Sequence, residues 1–186
     1  MVYIFVGGSS EKSLLIRFLS YCVNSKEAVI GQLKNYNERA DILIISDILN
    51  EEDFNKFKNY IYSFPSSIII TNGDDELSNK LFSKGINSTL ITCGLNPKSS
   101  ITASSISYEE EGYEFNYCVQ RAFFNLKGKL IEPLEIPVEI KVSEQYNIYD
   151  SLFVITVLLI LGNEIKDIQN VVKTFKDSGQ WQFFKN

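Results

Sequence analysis

Seven residues near the start of the chain, Gly7-Gly8-Ser9-Ser10-Glu11-Lys12-Ser13, carry the residue types that a phosphate-cradling loop needs. In such a loop, backbone N–H groups and the start of the following helix face phosphate, a lysine adds a point charge, and a hydroxyl helps to hold Mg²⁺. On that reading Gly8, Ser9, Ser10, Lys12 and Ser13 are the nucleotide-binding candidates, with Lys12 on phosphate and Ser13 on the metal. Position 11, where a glycine is expected just before the lysine, holds a glutamate. Its carboxylate can take the place of the phosphate or repel it, and it lacks the backbone freedom that a close approach demands. The same residues also permit a structural reading, in which Ser9 or Ser10 caps a helix and Lys12 pairs with Glu11 in solvent.

A second acidic group, Asp74-Asp75-Glu76, follows an apolar run. Carboxylates at the end of a strand can hold Mg²⁺, which adds Asp74 and Asp75 to Ser13 as metal candidates, but carboxylates in the first turn of a helix also cap it and favour its dipole. Asp47 closes another apolar run, and Glu109-Glu110-Glu111 reads as a solvated turn. No catalytic residue is assigned. The chain has no histidine, which removes Ser-His-Asp and Cys-His catalysis and leaves carboxylates, lysine or a bound metal to do any chemistry. Cys22, Cys93 and Cys118 are widely spaced with no CxxC pair, so they read as reduced core thiols and not as a zinc site or a disulfide framework. A net charge of −5 without clustered Lys and Arg argues against nucleic acid as a partner.

These residues need elements to position them. Val2–Val6 is an apolar run that passes into the glycines and reads as a buried strand, and Lys12 to about Val23 has helical apolar spacing. Asp41–Asp47 and Ser67–Asn72 are uninterrupted apolar runs with polar ends, as in strands buried on both faces of a parallel sheet. Helices are expected over Asp53–Tyr62 and Glu76–Lys84, with further strands at Thr89–Cys93 and Ser99–Ser104. This alternation predicts an α/β fold, a mostly parallel P-loop-like sheet flanked by helices. From Tyr108 to Val142 the pattern changes to alternation with Gly112 and Gly128 at turns, a smaller antiparallel section in which Pro133 and Pro137 confine parts to edges. Asn147–Leu161 is a long apolar helix closed by Gly162, and Glu164 to about Phe175 is a last helix.

At 186 residues, with 45% apolar and 22% charged, the chain reads as one globular domain over 1–186. Met1–Val6 lacks a basic region before it, so it is not read as a signal peptide, and Leu152–Leu161 falls short of the roughly 20 residues a bilayer requires. A cytoplasmic protein with no membrane partner is the expectation.

Several patches, in this order, resemble the central ATP-binding domain of the Mur ligases, which add amino acids to the peptidoglycan precursor, and of their folylpolyglutamate and cyanophycin synthetase relatives. The family loop G-T-N-G-K-T is echoed by Gly8-Ser9-Ser10-Glu11-Lys12-Ser13, and N-x-D-D by Asn72-Gly73-Asp74-Asp75. The family's strand, glycine turn and T-A-S strand resemble Cys93-Gly94 through Thr102-Ala103-Ser104, and H-N-x-Y-N resembles Tyr146-Asn147-Ile148-Tyr149-Asp150. Gly179-Gln180-Trp181-Gln182 sits where the family has G-R-x-E, its junction to a C-terminal domain.

The resemblance implies ATP and Mg²⁺ as cofactors and places Asn147 at the family's adenine-contacting asparagine; Asn147 alone could equally cap its helix. It also implies what is missing. The family's metal-binding Glu, its N-x-x-D-H motif and its carbamylated lysine lie between its second strand and its N-x-D-D strand. Here only Ser46–Ser67 separates the two. The UDP-substrate and C-terminal ligase domains are likewise expected to be absent. The expectation is a degenerate, stand-alone relative: a non-catalytic binding or accessory protein with at most weak nucleotide affinity. The alternative is a component of an ATP-dependent, ADP-forming amide ligase that works with partner chains. Surfaces that neighbouring domains cover in relatives would be bare and would attract a protein partner or a second copy of the chain.

Overall fold

The computed structural model describes residues 1–9, 13–33, 38–109, 112–141 and 147–175. In chain order the elements are β1 (Val2–Gly7), α1 (Ser13–Cys22), β2 (Ala28–Gln32), β3 (Ile42–Ile45), α2 (Glu51–Ser63), β4 (Ile68–Asn72), α3 (Glu76–Leu81) and β5 (Thr89–Cys93). They continue as β6 (Ile101–Glu109), β7 (Gly112–Val119), β8 (Phe123–Phe124), β9 (Leu130–Ile131), β10 (Leu134–Ile140), α4 (Ile148–Leu161) and α5 (Ile165–Thr174).

Eight strands form one sheet in the order β10-β7-β6-β5-β4-β3-β1-β2, and β8-β9 is a separate hairpin. The pairs from β2 to β6 are parallel, while β6-β7 and β7-β10 are antiparallel. This is the expected mostly parallel α/β sheet with an antiparallel section after it. Because side chains alternate across a strand, Ile42, Ile44, Ile68 and Ile70 join the core under α1, α4 and α5, whereas Leu43, Ile45 and Ile69 join a second core under α2 and α3. Apolar side chains on both faces are what a central parallel strand requires.

β2 is an addition to the sequence reading. Ala28-Val29-Ile30 is a short apolar run followed by Gly31, and its strand character comes from pairing with β1, Val2 opposite Ala28 through Val6 opposite Gln32. β6 also runs five residues beyond Ser104, bending at Ser105 (φ 53°), where its register with β7 slips between Ser104 and Ser107. β10 is the far edge of the sheet and carries Pro137, which has no N–H to offer a neighbour.

β5 and β6 meet at one residue pair only, Cys93 beside Ile101. β6 therefore starts where β5 stops, so the antiparallel strands continue past the carboxyl ends of the parallel ones. The return strand β7 brings Val119 back opposite Ile101 and sets Gln120 and Arg121 beside Ser100, with N–H bonds of 2.8 and 3.3 Å to its carbonyl.

α4 is buried on all sides from Ser151 to Leu161, with Tyr149 and Asp150 of its first turn half-buried. Asn147 and Asp150 form a reciprocal cap at its start, and Gly162, at φ 79°, ends it. Its one central hydroxyl is matched: Thr156 Oγ1 donates to the Leu152 carbonyl (2.7 Å), lies 2.8 Å from the Tyr117 hydroxyl and 3.4 Å from Cys93 Sγ. All three cysteines are buried and unpaired, as core thiols should be, and burial raises the Cys93 thiol to about 12. Among the described residues, no helix is long and apolar enough to cross a membrane.

Candidate functional site

Open parallel sheets bind ligands beyond the carboxyl ends of their strands. Here that edge gathers the ends of β1, β3, β4 and β5, the start of α1 and the start of α4. Gly7 ends β1 in close contact with α2: a Cβ added there would lie 2.5 Å from Cε1 of the buried Phe57 ring. Gly7→Ala is expected to lower stability by about 1–2 kcal/mol through overpacking, read as a shift of the urea midpoint at unchanged slope.

In the loop that follows, the donors of Ser9 are engaged. The Ser9 N–H donates to the Asp47 carboxylate (3.1 Å) and to the Asp47 carbonyl (3.2 Å). Ser46 Oγ donates to the same carboxylate oxygen (3.2 Å) and to the Gly7 carbonyl (3.2 Å). The Ser9 hydroxyl accepts from the Leu49 N–H (2.9 Å) and donates to Asp53, whose carboxyl it holds, with Asn50 and Lys56, below its ordinary value against the opposing effect of burial. Gly8 lies on this turn, half-buried. Ser13 is the exposed first residue of α1. Ser10, Glu11 and Lys12 lie outside the described residues.

Asp74 and Asp75 point to different partners. Asp75 caps α3 through the Leu77 N–H (3.1 Å), accepts from Ser78 Oγ (2.6 Å) and reaches across to the Ile48 N–H (2.7 Å). Asp74 accepts from the N–H groups of Leu95 (2.6 Å) and Asn96 (3.2 Å), from the Asn96 side-chain amide, and from the Tyr149 hydroxyl (2.8 Å). Burial raises the Asp74 carboxyl, but the Asn96, Leu95 and Tyr149 donors outweigh it and leave the group below its ordinary value. Tyr149 moves the other way, to about 12, through burial and the neighbouring anion. Asn147 uses its side-chain oxygen to cap α4 at the Asp150 N–H (3.0 Å).

Asp47, Asp74 and Asp75 thus form a chain of links along the sheet edge, β3 to β1, β4 to the β3–α2 turn, and β4 to both the β5–β6 loop and α4. Among the described residues no three His, Cys, Asp or Glu side chains are grouped to hold a metal ion. Asp74 and Asp75, the carboxylate candidates for Mg²⁺, accept from backbone N–H groups and from Ser78, Asn96 and Tyr149, and the Ser9 N–H of the candidate phosphate loop is engaged with Asp47. Sequence spacing did not single out Ser46, Asn96 or Tyr149, which complete these links. The advance signals were the Gly-Leu-Asn-Pro turn that holds Asn96 and, for Tyr149, its place in the stretch that resembles the family's H-N-x-Y-N.

No family model matches the chain. In sequence it is 28% identical over 122 residues to the UDP-N-acetylmuramate–L-alanine ligase of Caldanaerobacter subterraneus subsp. tengcongensis, which covers 64% of this chain and 24% of that protein. In structure it is similar to a murein peptide ligase from Psychrobacter arcticus (TM-score 0.69, 14% identity) over 93% of this chain and 46% of that one. A UDP-N-acetylmuramoyl-L-alanyl-D-glutamate–2,6-diaminopimelate ligase gives a TM-score of 0.72 at 12% identity over 94% and 46%. A folylpolyglutamate synthetase from Lactobacillus casei gives 0.63 at 8% over 97% and 63%. The chain spans about a quarter of the curated relative it matches and less than half of the first two of these structures.

Proposed function

We propose, from the Mur ligase-like fold that these comparisons establish, that this chain is a binding or accessory module that does not turn over ATP by itself. One observation carries the reading: the Ser9 N–H, in the loop after β1, is taken by the Asp47 carboxylate. A triphosphate brought to that turn would have to displace an anion that already accepts from Ser9 and Ser46, and the sequence carries a further carboxylate, Glu11, where the resembled loop has glycine. A carboxylate such as that of Asp47 within a few ångströms of an incoming phosphate opposes it by several kcal/mol at intermediate dielectric. The short β3–α2–β4 connection supports the same reading, because it lacks room for the metal-binding section that the resemblance implies.

The retained Lys12 and the exposed Ser13 at the start of α1 favour a second reading, an ADP-forming amide ligase component whose remaining sites come from partner chains.

Calorimetric titration with ATP, with and without Mg²⁺, separates the two. The native chain is expected to bind more weakly than about 1 mM and to show no ATP hydrolysis, and the pair Glu11→Gly with Asp47→Asn is expected to tighten binding at least about tenfold. Glu11→Gly alone covers the case in which loss of Asp47 unfolds the turn. ATP hydrolysis by the native chain that Lys12→Ala abolishes would overturn the proposal.

A further inference from the structure

We infer that the notch where β5 gives way to β6 is a binding site for a small oxyanion ligand, held by its phosphate or carboxylate group between Lys98 and Arg121. The stagger of the two strands opens a cavity of about 500 Å³ whose lining includes both cations together with Asn79, Asn96, Thr92 and Ser99, and no acidic side chain among the described residues. That size is within the range of small-molecule sites. Neither cation has an ion-pair partner among the described residues, although the chain carries a net charge of −5. An acidic protein that sets two cations on one concavity, with no acidic side chain among its described lining residues, offers a local potential opposite to its net charge.

The backbone beneath them is fixed. The Lys98 N–H donates to Asn96 Oδ1 (2.8 Å), and the Ser99 N–H to the Asn96 carbonyl (3.2 Å). The Gln120 amide, in the orientation that satisfies its neighbours, donates to the carbonyls of Ser99 (2.9 Å) and Pro97 (3.0 Å). Arg121 follows at once, anchored to Ser100. A pinned backbone leaves only the side-chain rotamers of the two cations to be ordered when a ligand arrives.

A second observation points to the same place. Ser99 is only 2% exposed, and its hydroxyl has no hydrogen-bond partner among the described residues. Gly73 and Gly94 make room for it; a Cβ at either would lie 2.5 or 2.6 Å from Ser99 Oγ. A buried hydroxyl without a partner is a donor awaiting an acceptor. Asp74 stands next to this cavity without lining it, and four donors already address its oxygens. The planar guanidinium of Arg121 can meet two oxygens of one phosphate or carboxylate at once, and Lys98 adds a point charge.

The test is an amide NMR titration with inorganic phosphate and, separately, succinate, at ionic strength held constant with chloride. Saturable shifts at Gly73, Thr92, Lys98, Ser99 and Arg121 are expected below about 20 mM, weakened about tenfold by Arg121→Gln and by Lys98→Gln and unchanged by Lys26→Gln. The tighter of the two probes identifies the ligand's anionic group. Both variants replace exposed side chains, and thermal melts confirm that they remain folded. Absence of saturation with either probe, or shifts confined to residues 8–13 and indifferent to Arg121→Gln, would overturn the inference.

Discussion

Phe153→Ala is expected to lower the unfolding free energy by about 4 kcal/mol, the largest loss of any single change considered. Phe153 is 1% exposed near the middle of α4, with Leu152, Val154 and Ile155 equally enclosed. Its truncation leaves a cavity in the main core that a close-packed interior cannot refill. Chemical denaturation of the purified variant checks this, with the slope against denaturant held in view to confirm that both chains unfold in one step. Ser13→Ala, at an exposed helix start, should change stability by less than about 0.5 kcal/mol in the same experiment. A loss below about 1 kcal/mol for Phe153→Ala would show that α4 is not the pillar of the core that its burial indicates.

The next largest effect is expected at Asp74. Removing its carboxylate in Asp74→Ala strands the N–H groups of Leu95 and Asn96, the Asn96 amide and the Tyr149 hydroxyl. Hydrogen bonds to a charged acceptor contribute about 1.5–3 kcal/mol each when enclosed, but this group is partly open to water, so a total of about 2–3 kcal/mol is expected near neutral pH. Its folded-state acidity lies below the ordinary value of 3.8. The contribution is therefore complete above that value and fades as pH falls through the lower folded one, so native and Asp74→Ala stabilities should converge in strong acid. Tyr149 gives the opposite limb. With its phenol raised to about 12, its contribution is complete below the ordinary value of 10 and is lost as pH climbs toward 12. Tyr149→Phe should flatten that alkaline limb and leave the acid limb with Asp74. Parallel curves for native and Asp74→Ala between neutrality and pH 2 would refute the assignment.

Sequence pattern was strongest where burial alone decides structure. Ile42–Ile45 and Ile68–Ile70 can only be central strands, since apolar side chains on both faces leave no other stable place for them, and the run 148–161 with Gly162 after it can only be an enclosed helix. β2 was not legible because a three-residue apolar run before a glycine has no preference of its own and takes its form from β1. The stretch Ser105–Ser107 lay between the strand expected to end at Ser104 and the antiparallel section expected from Tyr108, and its joining of the two into β6 owes its form to β7.

The candidate site divides along a similar line. A turn after the first strand, an acidic pair after β4 and an asparagine before α4 are local signals, and the structure sets them where the spacing implied. What engages them is not local: Ser9 meets Asp47, Asp74 meets Asn96 and Tyr149, and Asp75 meets Ile48, each across tens of residues. Lys98 and Arg121 converge only because the antiparallel return of β7 folds one back to the other. Their distance in sequence hides that convergence.

The enclosure of α4 from Ser151 onward also bears on the order in which the molecule can mature. A nascent polypeptide will present β1 through β5 before residues 148–161 exist, so one side of that sheet must stay wet and sticky for the time it takes to synthesise the next fifty or so residues. Chaperone capture, or premature self-association when expression is fast, is the foreseeable consequence at that stage, and slower translation should raise the yield of dispersed product.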